Sequence, residues 1–310
     1  MRTRVFGLAL VPVIMLGVGA LPARTVPPAS PPPPPMAGTD SLPGRVVDVK
    51  AGEFFFQAPD TIRAGLTTFR LLQTGMLAER SKAGLEGRAL VADQGDNTRG
   101  VHMLWVVRLD SGKTVGDLYR AAQTGERVTP WAKQLGGPGI ALPPRTTNAT
   151  LELEPGSYAL VCYVGSAHAD RTRYHVLRGM FRALTVLPAS GPAAATPRPD
   201  VVARIVGEGV VELSAPLAAG RQVIRVENAT DRMREFKFHQ MRAGVTGQEF
   251  LAQPPGEPGV VWGGLADVPP GGSVTTTIDF EPGEYIVGTA MGIRHATSRA
   301  VTVAAKSERR

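Results

Sequence analysis

The chain has one cysteine, Cys162. It cannot form an intramolecular disulfide, so no covalent staple holds the fold. Long helical patterns are also few, while Gly 36 and Pro 27 are high counts for 310 residues. Together these favour an all-β protein with many turns. Phosphate-loop and dinucleotide fingerprints, His-Glu-x-x-His and Gly-x-Ser-x-Gly are all absent. That removes motif support for nucleotide enzymes, zinc proteases and the hydrolase elbow. The formal charge is +7, but the basic residues are scattered and form no basic-aromatic module. No nucleic-acid partner is expected.

One apolar run stands out. Arg2 and Arg4 precede Val5–Ala20, and Ala20 and Ala23 offer small residues for cleavage. This reads as an export signal over residues 1–23. The run falls short of the roughly 20 apolar residues that span a bilayer, and no later segment could span one. No cysteine follows it, which excludes a lipoprotein anchor. Removing the signal takes away Arg2 and Arg4 and no acidic residue, so +7 becomes +5. The expected location is exported, periplasmic or extracellular. Residues 24–43 include a polyproline stretch and read as an extended spacer.

Strands are expected at Arg45–Phe56, Leu66–Leu72, Val101–Leu109 and Thr147–Leu153. Pro59–Gly65 reads as a turn, Gly136–Pro144 as a loop, and Thr114–Ala122 as a short helix capped by Thr114. The second half repeats the order of the first. Leu153-Glu154-Pro155-Gly156-Ser157-Tyr158 matches Phe280-Glu281-Pro282-Gly283-Glu284-Tyr285, and Gly136-Gly137 matches Gly263-Gly264. Gly112-Lys113-Thr114 matches Gly244-Val245-Thr246, and Ala64-Gly65 matches Ala219-Gly220. Four matches in one order predict two tandem Greek-key β-sandwich domains, at 44–188 and 200–304, joined by a linker at 189–199 and followed by a tail at 305–310. The tyrosine of each Glu-Pro-Gly-x-Tyr element suits a structural pin at a Greek-key corner.

Chemistry concentrates between Leu153 and Val186. Tyr158, Leu160 and Cys162 share one strand face. A loop after Cys162 leads to His175, then Gly179-Met180 and a second apolar run. A thiolate, imidazole and a thioether suit a copper site of the electron-transfer type. Soft sulfur holds Cu(I), imidazole serves both oxidation states, and a weak Met tunes the potential. Such a site needs a second histidine.

On these residues the first domain resembles a cupredoxin, the blue (type 1) copper fold of plastocyanin and its relatives. The closest resemblance is to exported bacterial proteins with tandem plastocyanin-like domains. In that family one His lies near the start of a mid-domain strand, and a Cys ends the penultimate strand. The second His lies in the following loop, and the Met comes before the last strand. The resemblance therefore implies His102, Cys162, His175 and Met180 as ligands of one type 1 copper. The Cys162-to-His175 step is longer than in plastocyanin, and His168 within it is a rival ligand. In the second domain Arg234 falls opposite His102 and Thr289 opposite Cys162, and Met291 comes too early to match Met180. That domain is expected to hold no type 1 copper, with His239 and His295 on its surface.

Multicopper oxidases and copper nitrite reductases resemble fused cupredoxins and wire the Cys to a second centre through an adjacent histidine. Here Val161 and Tyr163 flank Cys162, and there is no His-x-His pair. The expectation is a non-enzymatic single-electron carrier with a redox protein partner. The alternative is a copper-handling protein or a metal-free interaction module.

Overall fold

A computed structural model describes residues 42–74, 101–126, 129–140, 145–165, 174–252, 260–289 and 298–305. The expected export segment, nearly all of the proline-rich spacer, His168 and His295 lie outside them. All the described residues belong to one unit, Pro35–Arg310. Among them no helix is long and apolar enough to cross a membrane.

The first half builds a two-sheet sandwich. β1 (Arg45–Gly52), β2 (Phe55–Gln57), β4 (Gly65–Gln73) and β7 (Thr147–Leu153) form one sheet in the order β2-β1-β4-β7. The other has the order β3-β9-β8-β5-β6, built from β3 (Thr61–Arg63), β5 (Trp105–Leu109), β6 (Ala132–Gly136), β8 (Gly156–Val161) and β9 (Phe181–Leu187). Helix α1 (Val115–Gln123) follows β5. Thr114 caps it, with Asp117 completing a reciprocal capping box.

The second half repeats this plan. β10 (Val201–Gly207), β11 (Val210–Leu213), β12 (Gly220–Asn228) and β15 (Ser273–Phe280) run in the order β11-β10-β12-β15. Opposite them are β14 (Val260–Val268), β13 (Arg234–Gln240), β16 (Gly283–Gly288) and β17 (Ser298–Val303), in that order. α2 (Gly247–Ala252) takes the place of α1, and Thr246 and Glu249 repeat its capping box. The expected pair of tandem β-sandwiches is thus the observed architecture.

The repeat extends to register. β1 runs parallel to β4, and β10 runs parallel to β12. Val106 pairs with Gly136 and Val107 with Gln134, so a bulge falls between them. Phe238 pairs with Gly263 and His239 with Val261, with the shift at the same place. Tyr158 donates its hydroxyl to the Glu154 carbonyl at 2.8 Å, and Tyr285 donates to that of Glu281 at 3.0 Å. The Glu-Pro-Gly-x-Tyr element is a corner pin in both halves.

The halves meet edge to edge. β15 pairs with β7, joining the two four-stranded sheets into one of eight strands. The buried Asn148 completes the seam: its amide donates to the Thr277 carbonyl at 2.7 Å and accepts from the Thr277 N–H at 2.8 Å. Trp105 also crosses the boundary, donating its indole N–H to Asp267 at 2.6 Å.

Some boundaries differ from expectation. Arg45–Phe56 is a hairpin, because a turn at Glu53-Phe54 folds β2 back on β1. The strand expected from Val101 begins only at Trp105, and β3 lies inside the expected turn at Pro59–Gly65. β6 was not expected as a strand; its residues, AKQLG, have weak strand propensity and are set by pairing to β5.

Candidate metal centre

β5 and β8 are neighbours, with Trp105 opposite Val161. The residues just beyond these paired ends, His102 before β5 and Cys162 after β8, therefore lie at the same end of the sandwich. Gln73 holds the backbone there by donating its side-chain amide to the His102 carbonyl at 2.8 Å.

The loop after Cys162 is closed at its base. Gly165 bridges Tyr174, and the His175 N–H donates to the Val164 carbonyl at 2.9 Å. The separation of thirteen positions between Cys162 and His175 thus still returns the histidine to the cysteine. His175–Arg178 forms a 3-10 turn, ended by Gly179 at φ 94. Glycine takes that left-handed conformation without a Cβ penalty. Met180 follows at once and is fully buried; its N–H donates to the His175 carbonyl at 3.0 Å, and its carbonyl accepts from the Cys162 N–H at 3.1 Å.

Three of the four expected donors converge. His102 Nδ1 lies 3.1 Å from His175 Nδ1, and Cys162 Sγ lies 3.5 Å from the same nitrogen. One donor atom from each of the three lies within 4.8 Å of the others. This is the only such group of His, Cys, Asp or Glu found among the described residues. Donors sharing one first-row ion at about 2.0–2.3 Å lie roughly 3–4 Å apart, so the cluster fits a single metal ion. A thiol with two imidazoles is also a set that soft and borderline metals prefer over Mg²⁺ or Ca²⁺.

The site is dry. Cys162 and His175 are both 0% exposed. Burial, and then the neighbouring His175, lower the pKa of His102 to about 3, so His102 presents a neutral ring. Its Nε2 is buried without a hydrogen-bond partner. Burial pushes the Cys162 thiol up to about 12, against hydrogen bonds from the backbone at Met103 and Val164 that favour the thiolate. A bound cation would add the opposing charge that turns this thiol into a ligand.

One neighbour of the site was not anticipated. Phe54, in the β1–β2 turn, stands nearly perpendicular to the His175 ring at 5.0 Å between centroids, and reaches His102 at 6.4 Å. Its position over the histidines depends on the hairpin break that the sequence pattern concealed.

The second sandwich places other residues at the matching positions. Gln240 pairs with Tyr285 as Arg108 pairs with Tyr158, which aligns Thr289 with Cys162 and Arg234 with His102. The Thr289 hydroxyl accepts from the Gly209 N–H at 3.0 Å. His239, expected on the surface, is buried, and neither ring nitrogen has a hydrogen-bond partner. The cause is its place on β13, an inner strand whose face bearing Glu235, Lys237 and His239 is covered. Burial, and then the Lys237 charge, lowers the His239 pKa to about 3.

No family model and no curated protein matches this chain. Solved structures do. Auracyanin B is 18% identical over 48% of this chain and 92% of its own, with a TM-score of 0.28. A dithionite-reduced auracyanin from Roseiflexus castenholzii is 14% identical over 47% of this chain and 100% of its own, at 0.26. A copper nitrite reductase from Nitrosomonas europaea is 14% identical over 86% of this chain and 94% of its own, at 0.22. These likenesses are too distant to transfer a ligand or an activity, and the site is read from its own geometry.

Proposed function

We propose that this is an exported copper protein that holds one type 1 copper in its first sandwich and passes single electrons to and from a protein partner. His102, Cys162 and His175 would be the principal ligands, with Met180 as a weak axial one. The observation that carries this reading is the convergence of one thiol and two imidazoles in a dry pocket. Copper in such a set would cycle between Cu(I) and Cu(II), because sulfur favours the first and imidazole accepts both.

The chain's own residues make the set rigid. Cys162 is fixed through both its N–H and its carbonyl, to Met180 and Val176. His175 is fixed through its N–H to Val164 and its carbonyl to Met180. Ligands held this way move little when the charge at their centre changes, which suits electron exchange. Carriage, rather than catalysis, is supported by the ligand inventory. With five histidines and no His-x-His pair, the chain has no motif for a further copper cluster beside the first.

The test is a Cu(II) titration of the reduced mature protein, followed by visible absorption. An intense thiolate-to-copper band saturating at one equivalent is expected, and Cys162→Ser should abolish it while the far-ultraviolet circular dichroism is retained. A blue Cys162→Ser protein would overturn the assignment. Tight Cu(I) binding without a stable Cu(II) form would favour copper handling. No metal affinity at all would leave an interaction module.

A further inference from the structure

The hairpin turn beside the metal centre has a twin. Gly52-Glu53-Phe54-Phe55 joins β1 to β2, and Gly207-Glu208-Gly209-Val210 joins β10 to β11. Gly52 pairs with Phe55, and Gly207 with Val210, so the turns correspond residue for residue. The second central residue is left-handed in each, with φ 61 at Phe54 and φ 72 at Gly209. Glycine adopts this conformation freely, whereas a residue with a Cβ is strained in it. Among the described residues Phe54 is the only non-glycine at positive φ.

Such strain persists where the surroundings over-determine it, and it clusters at functional sites. The surroundings here are the ligand loop. The Phe54 ring stands at 81° to the His175 ring, and the Arg178 guanidinium lies over the Phe54 ring at 4.8 Å from its centroid. His175 and Arg178 are the two ends of one 3-10 turn, so the ring is clamped by the element that carries a ligand. The twin shows what the position overlooks: Gly209 donates its N–H to Thr289, the residue aligned with Cys162. The ring packs against the core only at its margin: Phe54 is half-buried, and its neighbour Phe55 is 52% exposed.

We propose that Phe54 is a shield, a positioning residue that closes the imidazole pair against water and small nitrogen or anionic ligands. This rests on the copper reading above and deepens it. A closed centre exchanges electrons only through its ligand edges, and an open one can bind a small molecule at the metal.

The test compares wild type with Phe54→Gly, which copies the twin turn, and with Phe54→Tyr, which restores the ring. In the copper-free protein, diethyl pyrocarbonate modification of His175 and His102 is followed by peptide mass mapping. Phe54→Gly should speed modification of His175 roughly tenfold, a barrier change of about 1.4 kcal/mol, and Phe54→Tyr should return it to the wild-type rate. Equal rates in all three overturn the shield. In the Cu(II) protein, added imidazole should shift the visible band saturably in Phe54→Gly and leave it unchanged in wild type and Phe54→Tyr. Identical responses in all three also overturn it. If no variant forms a band, the copper reading fails, while the copper-free rates still decide whether Phe54 covers the histidines. Phe54→Leu keeps the bulk and the strain without the flat ring. It should fall between wild type and Phe54→Gly, and it serves if the glycine variant does not fold.

Discussion

Apart from β3, the two sandwiches share their strand order, the bulge in the pairs β5/β6 and β13/β14, the capped helix between those paired strands and the tyrosine corner. They differ where chemistry would occur. His102 becomes Arg234, Cys162 becomes Thr289 and Phe54 becomes Gly209. The second sandwich keeps its fold without the donor set, so the donors are additions to a scaffold that stands without them. Conversely, the polar residues buried on β13 have no counterpart on β5. Glu235, Lys237 and His239 align with Met103, Trp105 and Val107.

That second difference gives the largest expected effect on stability. Lys237 Nζ lies 2.9 Å from Glu235 Oε1, and both side chains are buried. Burial raises the Glu235 pKa, Lys237 pulls it back, and Asp267 raises it again. Lys237→Met leaves the carboxyl buried without its cation. The loss should be about 3–5 kcal/mol in urea denaturation. Replacing both partners, Glu235→Met with Lys237→Leu, imitates the apolar face of β5 and should be neutral or stabilising. A single-variant loss below about 1 kcal/mol would mean that water reaches this face as it reaches an exposed pair.

His239 sharpens the contrast through pH. Its pKa is about 3 in the folded chain against an ordinary 6.5. Between these values the unfolded chain binds a proton that the folded chain refuses. Stability therefore falls as pH drops through this window, by about 1.4 kcal/mol per unit, and levels off near the lower value. His239→Val, which imitates Val107, should remove that slope. His102 adds its own slope in both copper-free proteins, so the difference between them isolates His239. Parallel pH profiles for the two proteins would show that His239 takes up its proton as readily in the fold as in the unfolded chain.

Much of this was legible in the chain. The repeat announced itself through Glu-Pro-Gly-x-Tyr and the paired glycines, because turns with positive φ demand particular residues and leave them at fixed places. Cys162, His175 and Met180 were legible as a local run. His102 became so only through the family resemblance, since its approach to Cys162 depends on β5 pairing with β8. Two features stayed hidden for the same reason. Glu-Phe-Lys-Phe-His alternates like a strand with one wet face, and only a covering layer makes that face dry. Phe54 sits in an apolar run that reads as continuous strand, and only the register of β1 on β2 turns it into a left-handed corner over the histidines.

The smallest effect tests the shared scaffold itself. Tyr158→Phe and Tyr285→Phe each remove one hydroxyl that donates to a backbone carbonyl four residues earlier. Each acceptor belongs to an exposed glutamate, Glu154 or Glu281, and can turn to water once the donor is gone. The net loss should therefore be that of one ordinary hydrogen bond, about 1 kcal/mol. It should be equal in the two halves and additive in the double variant, as expected of sites without a shared partner. Urea denaturation gives the energies, and the visible band of the Cu(II) protein reports on the site. Tyr158 shares a strand face with Cys162, so a corner that merely supports the sandwich predicts an unchanged band. A band that weakens in Tyr158→Phe would instead make this corner part of what holds the cysteine, and the two halves would no longer be the same scaffold.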